Sequence, residues 1–327
     1  MRGDCGMTKH RIIYDTDPGI DDAIALVFLA RHPDIELVGI TSVFGNADID
    51  TTTRNARYLA SRFAPRVPVA RGAAAPLKGP PPEPISHIHG NDALGDIERI
   101  GHVDKPEDGR TAHRFIIDAV RAHPGEITLL AVGPMTNLAL ALQDAPEIAQ
   151  RVREVVVMGG AFGIHGTLGN ATPAAEANMH ADPDAADIVF GAPWKVSIVG
   201  LDVTHETVMT TAFLAALRDR AGDAGRFVWD VSRFYERFHA ADGMSRGIYA
   251  HDYSAAAFVV ARELYTTRRG PVRVLTDGFA AGLTIQKPAS MRTDSPAPDW
   301  DTRPACDACI GVDADAVLEL FAKTLSS

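Results

Sequence analysis

The chain has 327 residues, 32 Lys+Arg against 42 Asp+Glu for a formal net charge of −10, and 46% hydrophobic residues, which excludes a disordered or collagen-like protein. The acidic balance argues against nucleic acid as a partner, since that binding needs clustered positive charge to displace phosphate counterions. No apolar run reaches the roughly 18 residues of a membrane helix, residues 1–10 hold no apolar signal stretch, and Cys5, Cys306 and Cys309 are too few for a disulfide framework. A cytoplasmic location without a membrane partner is the expectation.

In chain order, residues 11–14 read as a first strand and 23–31 continue a helix that opens near Pro18. Strand 36–42, helix 50–63, strand 67–70, helix 112–122 and strand 127–132 follow. Helix 135–143, strand 154–158, helix 184–190 and a long buried strand over 194–201 repeat the pattern. Beyond it the pattern is more helical, over 212–220, 226–239 and 254–262. The alternation implies parallel strands joined by crossover helices. The expected fold is therefore α/β: an open, mostly parallel, Rossmann-like sheet with flanking helices, in a single large domain over 8–327 with additional C-terminal helices. Residues 1–7 are expected to be a disordered extension, with Met7 as a secondary start. Segments 72–97, which contains Pro80, Pro81, Pro82 and Pro84, and 159–178 lack periodicity and are long enough to be functional loops.

The first strand runs into DTDPGIDDA, which packs Asp15, Asp17, Asp21 and Asp22 into a strand end and an opening helical turn. Strand carboxyl ends form the ligand crevice of open α/β sheets. Asp17 before Pro18 suits an N-cap, and first-turn acids favour the helix dipole, which accounts for one or two of the four. Packed together without a cation they would repel one another and raise at least one pKa. Oxygen-only ligands point to a hard ion, Ca²⁺ or Mg²⁺.

DTDPGIDDA resembles the signature of the nucleoside hydrolases, Ca²⁺-dependent N-ribohydrolases of purine and pyrimidine nucleosides. Other stretches agree in order: TSVFGN ending at Asn46, HGND starting at His89, LLAVGPMTN through Val132, VVVMGGAF, GNATPAAEAN from Gly169 to Asn178, VGLDVTHE, and AHD ending at Asp252. The resemblance implies Ca²⁺ held by Asp17, both oxygens of Asp22, the Val132 carbonyl and Asp252. Mg²⁺ would demand a tighter octahedron. Val132 ends an apolar strand before Gly133 and Pro134, where its C=O need not pair in the sheet. Taken alone, Asp252 would serve as an N-cap to the helix at Ser254. The resemblance assigns the ribose to Asp21, Asn46, Asn170, Glu176 and Asn178, short polar side chains suited to a vicinal diol. Asn170 follows Gly169 as a turn former would, whereas Glu176 and Asn178 lie in a stretch with little turn character. No Gly-rich phosphate cradle accompanies them, so a neutral nucleoside fits better than a nucleotide.

The implied reaction is hydrolysis of the N-glycosidic bond, with Asp17 as general base to a water and His251 as the imidazole that protonates the departing base. His89 matches a binding histidine of the family, while Tyr235 and His239 share a helix face at i, i+4 and resemble base-touching positions. The resemblance also implies a homodimer or homotetramer. Two other readings start from the same residues. Asp15-x-Asp17 has the spacing of Mg²⁺-dependent aspartyl-phosphate phosphatases, against which Pro18-Gly19 and the missing Thr two residues after Asp17 count. A nucleoside-binding or calcium-stabilised protein would lack the Asp17–His251 acid and base pair. Cys306-x-x-Cys309 has no second pair and reads as structural, and His87-x-His89 lacks a third ligand.

Overall fold

The computed structural model describes residues 9–97, 103–241, 243–244 and 247–327; the expectation for residues 1–7 lies outside them. Among the described residues eleven strands form: β1 His10–Thr16, β2 Ile35–Ser42, β3 Val69–Ala70, β4 Ile127–Ala131, β5 Glu154–Met158, β6 Val196–Val199, β7 Val208–Met209, β8 Ile248–Tyr249, β9 Tyr265–Val274, β10 Thr284–Gln286 and β11 Ala305–Val312. Nine of them make one sheet in the order β10-β9-β11-β6-β5-β4-β1-β2-β3, and β7 pairs with β8 apart from it. From β3 to β11 every pairing is parallel, and β9 and β10 add antiparallel strands at one edge.

β4 and β5 are buried at every position, as expected of parallel strands covered on both faces. Alternation then sorts their side chains. Ile12, Tyr14 and Leu130 face a core shared with helices Ile20–Arg31, Gly222–Ala241 and His251–Val260. Ile13, Leu129 and Ala131 face the opposite core, with helices Ala112–Ala122, Thr136–Asp144 and Pro183–Gly191. Because β1 connects outward to β2 and β3 while β4 lies on its other side, the chain reverses direction between β1 and β4. A crevice at their carboxyl ends is the consequence.

Three expectations change. The strand predicted over 194–201 spans only Val196–Val199. Gly200 passes so close to the neighbouring loop that a Cβ there would lie 2.6 Å from the Gly160 carbonyl oxygen, and Leu201 already starts a short helix, Leu201–Thr204. The helix predicted over 254–262 begins earlier, at His251, with Ala250 as its N-cap, so Asp252 lies in its first turn and caps nothing. The C-terminal third is not only helical: β9, β10 and β11 carry the sheet past β6. Cys306 and Cys309 are free and buried, in the two opposite cores, and burial pushes both thiols up to about 12. They are packing residues.

Candidate active site

Thr16 ends β1, the chain turns through Asp17 and Pro18, and the helix starts at Ile20 with Gly19, not Asp17, at the N-cap. Asp22, in the first turn, reaches back so that its Oδ2 accepts from the Gly19 N–H at 2.9 Å. Its Oδ1 accepts from the Thr16 hydroxyl and the Asp17 N–H, and Asn46 Nδ2 donates to Oδ2 at 3.0 Å. Four donors thus fix one carboxylate. Only glycine fits at position 19, where a Cβ would sit 2.7 Å from both Asn46 Nδ2 and His89 Nδ1. Asp17 accepts the Asn46 N–H on Oδ2 at 2.8 Å. Its Oδ1 is buried without a hydrogen-bond partner among the described residues, and a Cβ on Gly133 would lie 2.5 Å from it, so this oxygen borders the backbone that follows Val132.

Oxygens of Asp21, Asp22 and Asp252 lie within 4.8 Å of one another. Asp21, read from the sequence as a ribose contact, belongs to this group, and Asp17 stands outside it. Burial, then repulsion from Asp22, pushes Asp21 up to about 8. Burial followed by neighbouring carboxylate charge also raises Asp17 and Asp252 well above the usual carboxylate range, and burial raises Asp22. Beneath them Asp15 accepts from Thr41 Oγ1 at 2.5 Å and Asn137 Nδ2 at 2.9 Å, and burial pushes it to about 7. Four buried acids with oxygen donors, two of whose oxygens, on Asp17 and Asp21, lack a hydrogen-bond partner among the described residues, suit a hard divalent cation.

Asn178 ties the ends of β4 and β5 together, its Nδ2 donating to the carbonyls of Val132 at 2.7 Å and Met158 at 3.2 Å. The Val132 carbonyl is therefore free of the sheet but not of a partner; its second lone pair is what a cation could use. Glu176 is an N-cap: its carboxylate accepts from the backbone N–H groups of Gly160, Asn178 and Met179, so the stretch read as having little turn character opens a short helix, Ala177–Ala181. Asn170 is exposed and accepts the Ala177 N–H at 3.0 Å, closing the loop as a turn former does. Asp202 holds the start of the same loop, accepting from the Phe162 and Ile164 N–H groups at 2.7 Å each.

Opposite the acids stands a wall of rings. His89 stacks on Tyr235 at 5.4 Å, and Tyr235 lies 4.2 Å from His239. His89 accepts the Ile20 N–H on Nδ1, and burial, then the His239 charge, pushes its pKa down to about 3, so it is a neutral ring that caps a helix end. His87, in contrast, is exposed, so the two do not form a metal pair. His251 is buried beside Thr204 Oγ1, 2.8 Å from its Nδ1; burial, then His205, lowers its pKa well below the usual histidine value. Sequence reasoning missed His205, which stacks on Tyr249 at 4.4 Å, along with Tyr249 itself and Phe238. The signal was slight: His205 directly follows the VGLDVT run, and Tyr249 precedes His251 by two residues in an extended segment.

Asp21, Asn46, His89, Val132, Asn170, Glu176, Asn178, Tyr235, His239, His251 and Asp252 all line one cleft of about 370 Å³. Asp17 and Asp22 lie under its floor, both buried. A crevice at the sheet's reversal point, with carboxylates on one side and imidazoles and aromatics on the other, defines an α/β enzyme for a small polar substrate carrying a flat ring. Residues 12–319 match the family model described as inosine-uridine preferring nucleoside hydrolase. The chain belongs to the nucleoside hydrolase family and is an N-ribohydrolase, acting on N-glycosyl bonds. It is 37% identical to uridine nucleosidase 1 of Arabidopsis thaliana over 95% of this chain and 92% of the relative. A plant nucleoside hydrolase structure superposes with a TM-score of 0.91 at 34% identity, covering 98% of this chain and 100% of that one. A purine-preferring ribonucleoside hydrolase from Gardnerella vaginalis does so at 0.87 and 33%, covering 97% and 98%.

Proposed function

We propose that the protein hydrolyses purine or pyrimidine ribonucleosides to ribose and free base in a Ca²⁺-dependent reaction. The observation that carries this is the cluster of buried acids in and under the cleft floor, whose mutual repulsion and whose oxygens without a hydrogen-bond partner among the described residues, on Asp17 and Asp21, call for a cation. Asp17, Asp22, the Val132 carbonyl and Asp252 would hold it. When bound, the cation supplies the positive charge that keeps these acids ionised and polarises the reacting groups beside it. Asp21, Asn46, Asn170, Glu176 and Asn178 surround the space that the ribose would fill. Asp17 takes a proton from the attacking water while the water oxygen bonds to C1′, help worth roughly 10² to 10⁴ in rate. The C1′–N bond breaks, its electron pair leaves with the base, and the base nitrogen takes a proton from the imidazolium form of His251, which is left as the neutral ring. The carboxylates stabilise the positive charge that develops on the sugar. Tyr235, His239 and Tyr249 offer flat faces to purine and pyrimidine rings alike, in keeping with relatives named for uridine and for purines.

The test is a panel that includes inosine and uridine, followed by a reducing-sugar assay with chelator and with Ca²⁺ restored. Ribose release that stops on chelation and returns with Ca²⁺ is expected. No ribose from any nucleoside would overturn the catalytic reading, and turnover indifferent to chelator would remove the cation from it.

A further inference from the structure

We infer that Thr204 is a positioning residue for the leaving-group proton: its hydroxyl holds His251 Nδ1 so that Nε2 is the nitrogen turned to the departing base. This rests on reading His251 as the proton donor. Thr204 Oγ1 lies 2.8 Å from His251 Nδ1, and both residues are buried. The short helix that carries Thr204 is tied down on two sides. Leu201 N–H bonds to the Gly160 carbonyl at 2.9 Å and Ala250 N–H to the Thr207 carbonyl at 3.0 Å, while Asp202 accepts from the loop that bears the ribose-side residues.

Packing alone cannot choose the nitrogen. The neighbouring rings of His205 at 5.6 Å and Tyr249 at 5.5 Å confine the imidazole, but a half-turn of the ring exchanges N and C–H positions with almost no change of shape. A hydrogen bond to one nitrogen is what separates the two orientations. A hydroxyl also suits the task better than a carboxylate, because it accepts from Nδ1–H or donates to a bare Nδ1. In the step itself His251 starts as the imidazolium with Nδ1–H donating to Thr204 Oγ1; the Nε2 proton passes to the base, the C1′–N electron pair leaves with that base, and the neutral ring keeps its Nδ1–H and its orientation.

The experiment compares a nucleoside with 4-nitrophenyl β-ribofuranoside, whose phenolate departs without a proton. In Thr204→Val the ratio of nucleoside to nitrophenyl riboside kcat is expected to fall about 10- to 100-fold with little change in nucleoside KM; in Thr204→Ser the ratio is expected to recover to within about 3-fold. In a His251→Gln background, Thr204→Val should produce no further fall in that ratio. A Thr204→Val ratio equal to wild type, or an independent multiplicative loss in the His251→Gln background, would overturn the inference. Should Thr204→Val not fold, Thr204→Ala set against Thr204→Ser reads the same ratio. Wild-type protein that releases no ribose would remove the acid and this inference with it, whereas active wild type with an unmoved Thr204→Val ratio removes Thr204 alone.

Discussion

Stripping divalent ions and raising the pH should weaken the protein in a way opposite to the usual carboxylate. Asp21 titrates at about 8 in the folded chain and Asp15 at about 7, against an ordinary value of 3.8. A raised folded pKa means that the folded state binds more protons than the unfolded one between those limits. Stability is then fully present below the ordinary value and is lost as pH climbs through the folded value. The buried histidines act in the opposite sense: above pH 6.5 His89, pushed down to about 3 from 6.5, and His251, also well lowered, each return about 0.4 kcal/mol as the unfolded imidazole sheds its remaining half proton. Between about pH 6.5 and 8.5 the acids therefore dominate, costing about 2 kcal/mol through Asp21 and about 1 kcal/mol through Asp15. With an unfolding entropy of about 0.7 kcal/mol/K for a chain of this length, the net loss of about 2 kcal/mol should lower the Tm in EDTA by about 3 °C over that interval. Thermal unfolding followed by circular dichroism or calorimetry at constant ionic strength reads it. Ca²⁺, which favours the ionised acids, should widen its stabilising effect as pH rises. An EDTA Tm that stays flat or increases from pH 6.5 to 8.5 would refute the repulsion argument on which the cation assignment depends.

Asp17→Ala should abolish turnover, a loss of at least about 10²-fold, while far-UV circular dichroism stays native; a near-normal rate would take Asp17 out of the mechanism. Asn178→Ala removes the donor shared by the Val132 and Met158 carbonyls and should cost about 1–3 kcal/mol, read as a lower urea midpoint with unchanged m. Gly19→Ala drives a methyl to 2.7 Å from Asn46 and His89; a fall in Tm together with a rise in nucleoside KM is expected, and an unaltered KM would show that the turn yields without disturbing either side chain.

The acids of DTDPGIDDA were legible because a strand end and the following turn bring them together locally, whatever the rest of the chain does. Helix Ala112–Ala122 and strand Glu154–Met158 were legible for a similar reason, each being an apolar run with clear boundaries. β9 was not: Thr266, Thr267 and Arg269 point to solvent at the sheet edge, so neither a continuous apolar run nor strict alternation marks it. The cap at Gly19 was hidden because glycine offers no side-chain signal; what selects it is the approach of Asn46 and His89, residues distant in sequence. His205 and Tyr249 owe their place to the meeting of β7 with β8, a contact between segments about 40 residues apart that no local pattern announces. Grouping Asp17 and Asp22 with Val132 and Asp252 as one ligand set rests on resemblance to a family, since β1, β4 and the helix at His251 converge solely in three dimensions.

Strand β11 lies between β6 and β9 although it follows both in the chain. During synthesis, β9 and β10 emerge with no seat in the sheet until residues 305–312 arrive to separate them from β6. The β9–β10 hairpin leans on the segment that ends in Asn178, with Gly282 packed on Ala175 and His180 and Thr284 close to Gly160. A ribosome-tethered chain stalled before Ala305 would thus carry every acid and imidazole of the cleft yet leave one of its walls without a buttress, so competence arrives late in translation.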